Sequence, residues 1–170
     1  GEGLARVGDE LIQLTWQSGK ALVWRLSDLA RVREYSYDGE GWGLCYDGER
    51  LVMSNGSSTL VFRDPRTFSE TGRIEVRLDN RPLGNLNELE CVDGLVYANV
   101  WQSTRIARID PQTGRVRAMI EAAGLLSDAE RRDADVLNGI AYLPAQRSFV
   151  LTGKLWPRAF VVEFVPASGP

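Results

Sequence analysis

Short apolar runs, each bounded by turn-forming residues, recur along the whole chain. Residues 10–16 form a mostly apolar run with polar residues interspersed, a polar turn follows, and a second apolar run covers residues 21–26. Such runs are rich in β-branched and aromatic residues and are too short for most helices, so they predict strands. The one helical candidate is the segment 127–132, where Ser127 can act as the N-cap and Glu130 can complete a capping box.

The same order of turns and apolar runs repeats along the chain. The string Gly-x-Gly-Leu at residues 1–4 returns at 41–44, and Leu-Asn-Glu-Leu at 86–89 returns as Leu-Asn-Gly-Ile at 137–140. Four repeat units therefore start near Gly1, Gly41, Leu86 and Leu137. Intervals of roughly 40 to 51 residues, each holding several short strands, are typical of the blades of a β-propeller.

Each unit predicts a similar set of strands. The second strands are predicted at 10–16, 50–54, 95–101 and 148–154, the third at 21–26, 59–63, 105–109 and 159–165, and the fourth at 31–37, 70–78 and 115–120. We predict an all-β chain, a single propeller domain over residues 1–170 with a short helical insert near 127–132. A β-sandwich with coincidental spacing is the alternative, but the turn at a fixed place in each unit favours the propeller.

Composition excludes several classes of function. The chain has 20 Lys+Arg and 23 Asp+Glu, a net charge of −3, so it lacks the basic excess of a nucleic-acid-binding protein. Its apolar runs are far shorter than the roughly 20 residues that a membrane helix needs. The absence of histidine removes Ser-His-Asp and Cys-His catalysis and the HExxH zinc site.

The two cysteines, Cys45 and Cys91, occupy equivalent strand positions in successive units. Two cysteines are too few for a cysteine-rich zinc site. We expect neighbouring blades to hold these positions further apart than the Cα–Cα limit of about 7 Å for a disulfide. The spacing therefore predicts two buried free thiols.

Polar and aromatic residues recur at two places in the units. Glu2, Trp42, Asn87, Glu88 and Asn138 come just before the first strands, and Trp16, Ser54, Trp101 and Lys154 come near the ends of the second strands. One end of every blade converges on the central channel, so we expect these two rings to meet in one funnel. An aromatic wall with a few convergent polar groups is the usual form of a small-ligand site.

Each of these residues also has a purely structural interpretation. A tryptophan in a β protein is often part of the core, Glu2 can be a solvated charge, Lys154 can lie on a loop, and Asn87 can satisfy a turn. Their common placement in the repeat favours the functional interpretation. Without histidine, a metal site would need oxygen ligands, and Asp133 and Asp135 allow a structural calcium ion.

Several strings in the chain are specific enough to indicate a family. Asn-Glu-Leu-Glu at 87–90, Ala-Asn-Val-Trp at 98–101 and Val-Leu-Asn-Gly-Ile-Ala at 136–141 occur together with Gly-Glu-Gly-Leu at 1–4 and Gly-Trp-Gly-Leu at 41–44. In these strings the chain resembles the glutamine cyclotransferases, the plant- and bacterial-type glutaminyl cyclases, from residue 1 to about 165. That family has a five-bladed propeller, and family members begin with another blade. The resemblance therefore implies a fragment that lacks the N-terminal blade.

The resemblance also implies a reaction and a site. Family members convert the N-terminal glutamine of peptides or proteins to pyroglutamate and release ammonia, without a cofactor or a catalytic metal. The matching positions imply Glu2 as general base, Lys154 and Asn87 as groups that stabilise the developing charge or assist the leaving ammonia, and Trp16, Trp42 and Trp101 as the substrate-binding wall. The same resemblance implies a secreted or periplasmic protein whose partners are substrates with N-terminal glutamine. A monomer is the default for a closed propeller, and the near-neutral charge and the short apolar runs predict no nucleic-acid or membrane partner.

Two other functions are compatible with a propeller. One is a non-catalytic binding module, which has no reason to assemble a glutamate, an asparagine and a lysine in one channel. The other is a calcium-dependent, lactonase-like propeller hydrolase, which would need several acids and asparagines around one metal ion. Inactivation by a chelator would favour the hydrolase, whereas turnover in its presence would favour the cyclase.

Overall fold

The computed structural model describes residues 1–166, so the last four residues of the predicted domain, 167–170, lie outside the described part. Four antiparallel sheets of three or four strands follow one another along the chain in the arrangement of a β-propeller, with almost no helix, which confirms the predicted fold class. We number them blade 1 to blade 4 in chain order. Within residues 1–166, no helix is long and apolar enough to cross a membrane.

In each blade the strands are hydrogen-bonded in the order in which they occur in the sequence, so the first strand lies at one edge of the sheet. Blade 1 contains β1 (Leu4–Val7), β2 (Glu10–Leu14), β3 (Lys20–Arg25) and β4 (Arg31–Ser36). Blade 2 contains β5 (Leu44–Tyr46), β6 (Leu51–Met53), β7 (Thr59–Arg63) and β8 (Glu70–Glu75). The predicted strand 70–78 is interrupted, because β9 (Arg77–Leu78) turns away to pair with β10 (Arg81–Pro82) in a small ribbon.

Blades 3 and 4 complete the described chain. Blade 3 contains β11 (Leu86–Val92), β12 (Leu95–Val100), β13 (Arg105–Ile109) and β14 (Val116–Glu121), and blade 4 contains β15 (Leu137–Leu143), β16 (Ser148–Gly153) and β17 (Phe160–Val162). The predicted helical insert is the single turn α1 (Asp128–Arg131). Its capping box is confirmed: the Glu130 amide donates to Ser127 Oγ at 3.4 Å, and the Ser127 amide donates to the Glu130 carboxylate at 3.0 Å.

The hydrophobic core lies between the sheets and consists of three clusters, one between each pair of neighbouring blades. The two-residue period of a strand sends successive side chains to opposite faces. In β6, Leu51 and Met53 therefore pack against blade 1, while Val52 packs against blade 3. Burial on both faces explains why this strand is a continuous apolar run.

The first strands of the blades lie side by side, since β5 contacts β1 on one side and β11 on the other. Cys45 in β5 and Cys91 in β11 consequently have Cα atoms only 5.5 Å apart and form a disulfide. The expectation of two free thiols was wrong. Contacts between neighbouring blades are made mainly by their first strands, and equivalent positions on two of these strands come within disulfide distance.

Replacing both cysteines with alanine should lower the stability of the protein. The disulfide closes a loop between positions 46 residues apart, and such a cross-link contributes about 2–4 kcal/mol, mainly by restricting the unfolded chain. Urea unfolding of the oxidised protein and of the C45A/C91A variant measures the difference. Thiol titration of the denatured, unreduced protein is the control, and finding two free thiols would contradict the structure.

Candidate functional site

The second position of each repeat unit lies at the start of a first strand and on the same side of the propeller. Glu2, Trp42 and Asn87 hold this position in blades 1 to 3. Backbone hydrogen bonds fix the first two: the Glu2 amide donates to the Leu14 carbonyl at 2.9 Å, and the Gly3 amide donates to the Trp42 carbonyl at 2.8 Å. The backbone thus holds the two side chains next to each other at neighbouring blades.

Glycine at the third position allows this close approach. A Cβ atom on Gly3 would overlap with the backbone of Gly43 and Leu44, and a Cβ atom on Gly43 would overlap with the carbonyl of Asn87. The repeated Gly-x-Gly string therefore has a packing reason, because a side chain at its last glycine would push neighbouring blades apart.

Ser54 is fully buried, and its hydrogen bonds connect the backbone at Trp42 and Gly43 to the backbone of Asn87. Its hydroxyl accepts a hydrogen bond from the Gly43 amide at 2.8 Å and donates one to the Asn87 carbonyl at 2.6 Å. Ser54 also accepts the Trp42 amide on its own carbonyl at 3.0 Å. Ser54 was expected in the funnel, but its side chain is used between the blades instead.

The ends of the second strands supply the remaining residues. Trp16 follows β2, Trp101 follows β12, and Lys154 follows β16. The backbone amide of Trp101 donates to the Asn85 carbonyl at 2.8 Å, and that of Lys154 donates to the Val136 carbonyl at 2.9 Å. All six predicted site residues line one open cavity of about 250 Å³: Glu2, Trp16, Trp42, Asn87, Trp101 and Lys154.

Aromatic contacts and one acidic residue shape the wall of the cavity. The rings of Trp42 and Trp101 meet edge to face with centroids 5.4 Å apart, a favourable arrangement for two aromatic side chains. The Glu40 carboxylate accepts hydrogen bonds from the indole N–H groups of Trp16 and Trp42, both at 2.8 Å. The sequence did not point to Glu40, because it lies in the loop that joins two repeat units and has no counterpart at a repeated position.

Asn87 offers a free polar atom to a ligand. Its side chain is buried, and its Oδ1 atom accepts no hydrogen bond from any residue in the range 1–166. A buried polar atom without a hydrogen-bond partner is unfavourable unless a bound molecule supplies that partner. A ligand N–H group in the cavity would do so.

Glu88 and Asn138 were expected in the same funnel but line a second cavity beside it. This cavity of about 450 Å³ is bounded by Glu88, Asn138 and also by Glu2 and Lys154, so it adjoins the first. Glu88 occupies the position that is glycine in the other three units, and the Asn138 Oδ1 atom accepts its backbone N–H at 3.2 Å. Burial, with the neighbouring charges of Glu90 and Glu2, raises the pKa of the Glu88 carboxyl to about 8.

No group of three Cys, Asp or Glu side chains suited to a metal ion is present in the part of the chain that the structure describes. The Asp135 carboxylate accepts a hydrogen bond from the Val136 amide at 2.7 Å, and the Asp135 carbonyl accepts one from the Trp156 indole N–H at 2.8 Å. A structural calcium ion at Asp133 and Asp135 stays a prediction.

The raised pKa of Glu88 makes stability depend on pH. In the native state the carboxyl keeps its proton up to about pH 8, whereas the unfolded chain releases it near the ordinary value of 4.5. The native state then binds the extra proton, so this contribution to stability is present below pH 4.5 and is lost as the pH rises toward 8. In the Glu88→Gln variant the neutral amide does not titrate. Urea unfolding between pH 4.5 and 8.5 measures the free energy of unfolding of both proteins. The stability of the variant relative to the wild type should increase as the pH rises, and a difference that does not change with pH would contradict the raised pKa of Glu88.

Comparison with known proteins gives a consistent result. The sequence model of the family described as glutamine cyclotransferase matches residues 1–164. A curated relative, the glutaminyl-peptide cyclotransferase of Arabidopsis thaliana, is 39% identical over 172 residues, which cover 99% of this chain and 54% of the relative. The chain thus spans about half the length of that relative.

Solved structures agree with the fold. The crystal structure of Myxococcus xanthus glutaminyl cyclase superposes with a TM-score of 0.86 and 44% identity, over 95% of this chain and 71% of that chain. The computationally designed Ika4 protein, with a TM-score of 0.54 and 15% identity over 96% of this chain and 90% of its own, shares the fold alone. The family match and the two closely similar cyclases show that this chain belongs to the glutamine cyclotransferase family.

Proposed function

We propose that this protein is a glutaminyl-peptide cyclotransferase that converts the N-terminal glutamine of peptides or proteins to pyroglutamate and releases ammonia. One observation carries the proposal: the six residues expected from the repeat pattern and the family resemblance line a single cavity. Its volume of about 250 Å³ is below the roughly 300–1,000 Å³ of sites for drug-sized ligands. Such a site suits one terminal residue, with the rest of the peptide outside.

The reaction needs one proton to move from the attacking group to the leaving group. The neutral α-amine attacks the γ-amide carbon, and a C–N bond forms. In this proposal Glu2 accepts a proton from the amine nitrogen and returns it to the amide nitrogen, which leaves as ammonia when its bond to carbon breaks. General-base assistance by a positioned carboxylate contributes about 10²–10⁴-fold to such a step.

Charge develops on the γ-amide oxygen during the attack. The Lys154 ammonium is the cation of the cavity wall, and its charge would stabilise this oxygen. The Oδ1 atom of Asn87 can accept a hydrogen bond from an N–H of the leaving amide nitrogen. This bond would supply the partner that the buried Oδ1 atom lacks. Lysine and asparagine thereby act on opposite ends of the amide.

The three tryptophans would bind the substrate by shape. Trp42 and Trp101 meet at nearly a right angle, 83° between ring planes, and Trp16 adds a third face at the solvent side. A corner of rigid rings can hold the glutamine side chain folded back toward its own amine. Holding the two reacting atoms together lowers the entropic barrier, even for a reaction within one molecule.

The setting of the enzyme is part of the proposal. We propose a secreted or periplasmic, monomeric protein. The disulfide between Cys45 and Cys91 supports an oxidising compartment, because cytosolic thiols are usually kept reduced. Catalysis by Glu2, Lys154 and Asn87 requires no metal ion.

Glu2→Gln should reduce kcat/KM for a peptide with N-terminal glutamine by about 10²–10⁴-fold, because the amide cannot accept the amine proton. Mass spectrometry, with EDTA present, follows the loss of one ammonia from the peptide. Glu49→Gln is the matched control, since Glu49 is exposed in the turn between β5 and β6. A Glu2→Gln enzyme with wild-type activity would contradict the assignment of Glu2 as the general base. Loss of wild-type activity in EDTA would instead favour the metal-dependent hydrolase.

Lys154→Ala should reduce kcat by about 10²-fold or more, since a stabilising group for the amide oxygen is lost. The chain has one other lysine, Lys20, which is partly exposed on β3 and pairs with Glu34, so Lys20→Ala is the matched control. The same mass-spectrometric assay compares the two variants. Equal rates in both would show that Lys154 has no role in the chemical step.

A further inference from the structure

One carboxylate holds two walls of the cavity together. Glu40 Oε2 lies 2.8 Å from the indole nitrogen of Trp16 and 2.8 Å from that of Trp42, and its Oε1 accepts Gln17 Nε2 at 3.2 Å. The hydrogen bonds from Trp42, Trp16 and Gln17 hold the pKa of the Glu40 carboxyl below its ordinary value. The group is therefore an anion at neutral pH, and charge-assisted hydrogen bonds of this kind are stronger than neutral ones.

The two tryptophans depend on this carboxylate to different degrees. Trp42 is also held by the ring of Trp101 at 5.4 Å and by Gly56, where a Cβ atom would come within 2.7 Å of the indole. Trp16 is 52% exposed, and its hydrogen bond to Glu40 is the contact that ties the tip of its side chain to the wall. Without that bond, Trp16 would be free to swing away from the cavity.

The loop that carries Glu40 is itself fixed. The Tyr37 hydroxyl, from a largely buried ring, donates to the Thr15 carbonyl, and the Gly41 amide donates to the Trp16 carbonyl at 2.9 Å. Glu40 therefore has anchored backbone on both sides, and one of those anchors is Trp16 itself.

We propose that Glu40 is a positioning residue that sets the orientation of Trp16 and Trp42 for binding the terminal glutamine. This inference rests on the proposed function, because the wall it orders is the wall of the proposed substrate site. Glu40 accepts hydrogen bonds and takes no proton from the substrate. Its effect should therefore fall mainly on KM, with a smaller effect on kcat.

Kinetics of three variants test the proposal. Glu40→Ala should raise KM for the glutaminyl peptide by about tenfold, the size expected when a charge-assisted hydrogen bond that orders a binding group is lost. Glu40→Gln keeps an oxygen acceptor for an indole N–H and should recover most of that loss. Glu49→Ala, which replaces an exposed glutamate in the turn between β5 and β6, is the matched control and should keep the wild-type KM.

Tryptophan fluorescence provides a readout that needs no turnover. Acrylamide quenching should increase in Glu40→Ala, and the increase should be smaller when Trp16 is also replaced by phenylalanine. A Glu40→Ala protein with wild-type KM and wild-type quenching would overturn the inference. If the wild type does not cyclise the peptide, the proposed function fails, while the quenching result still decides whether Glu40 holds Trp16.

Discussion

The close approach of neighbouring first strands is the constraint on which the rest of this structure depends. It requires a residue without a side chain at Gly3 and Gly43, since a Cβ atom at either would overlap with the backbone of the next blade. The residues that precede these glycines, Glu2 and Trp42, are then held side by side by backbone bonds. The packing of the blades and the assembly of the site thus have one cause.

Two further links hold the same region. The Ser54 hydroxyl bridges the Gly43 amide and the Asn87 carbonyl, and the disulfide joins β5 to β11 further along the same strands. Both join blade 2 to blade 3, the two blades that supply Trp42 and Asn87. A rigid junction at this place favours precise placement of the groups that, in the proposed function, act on one small amide.

The sequence predicted the positions that repeat and missed those that depend on distance or on loops. The period placed Glu2, Trp42 and Asn87 at equivalent strand starts, and these residues do line one cavity. The pairing of Cys45 with Cys91 was missed because a repeat pattern does not reveal how closely the first strands approach. Glu40 was missed because it lies in a connecting loop, and Glu88 was misplaced because a side chain stands there where other units have glycine.

The central claim is that the six residues form one site for a terminal glutamine, and a crystal structure of a complex tests it most directly. The Glu2→Gln variant, soaked with a short peptide that begins with glutamine, should show the glutamine side chain in the corner between Trp42 and Trp101. Its α-amine should lie at residue 2 and its amide oxygen toward Lys154. Peptide bound elsewhere, for example in the second cavity beside Glu88 and Asn138, with the cavity of the six residues empty, would contradict the account.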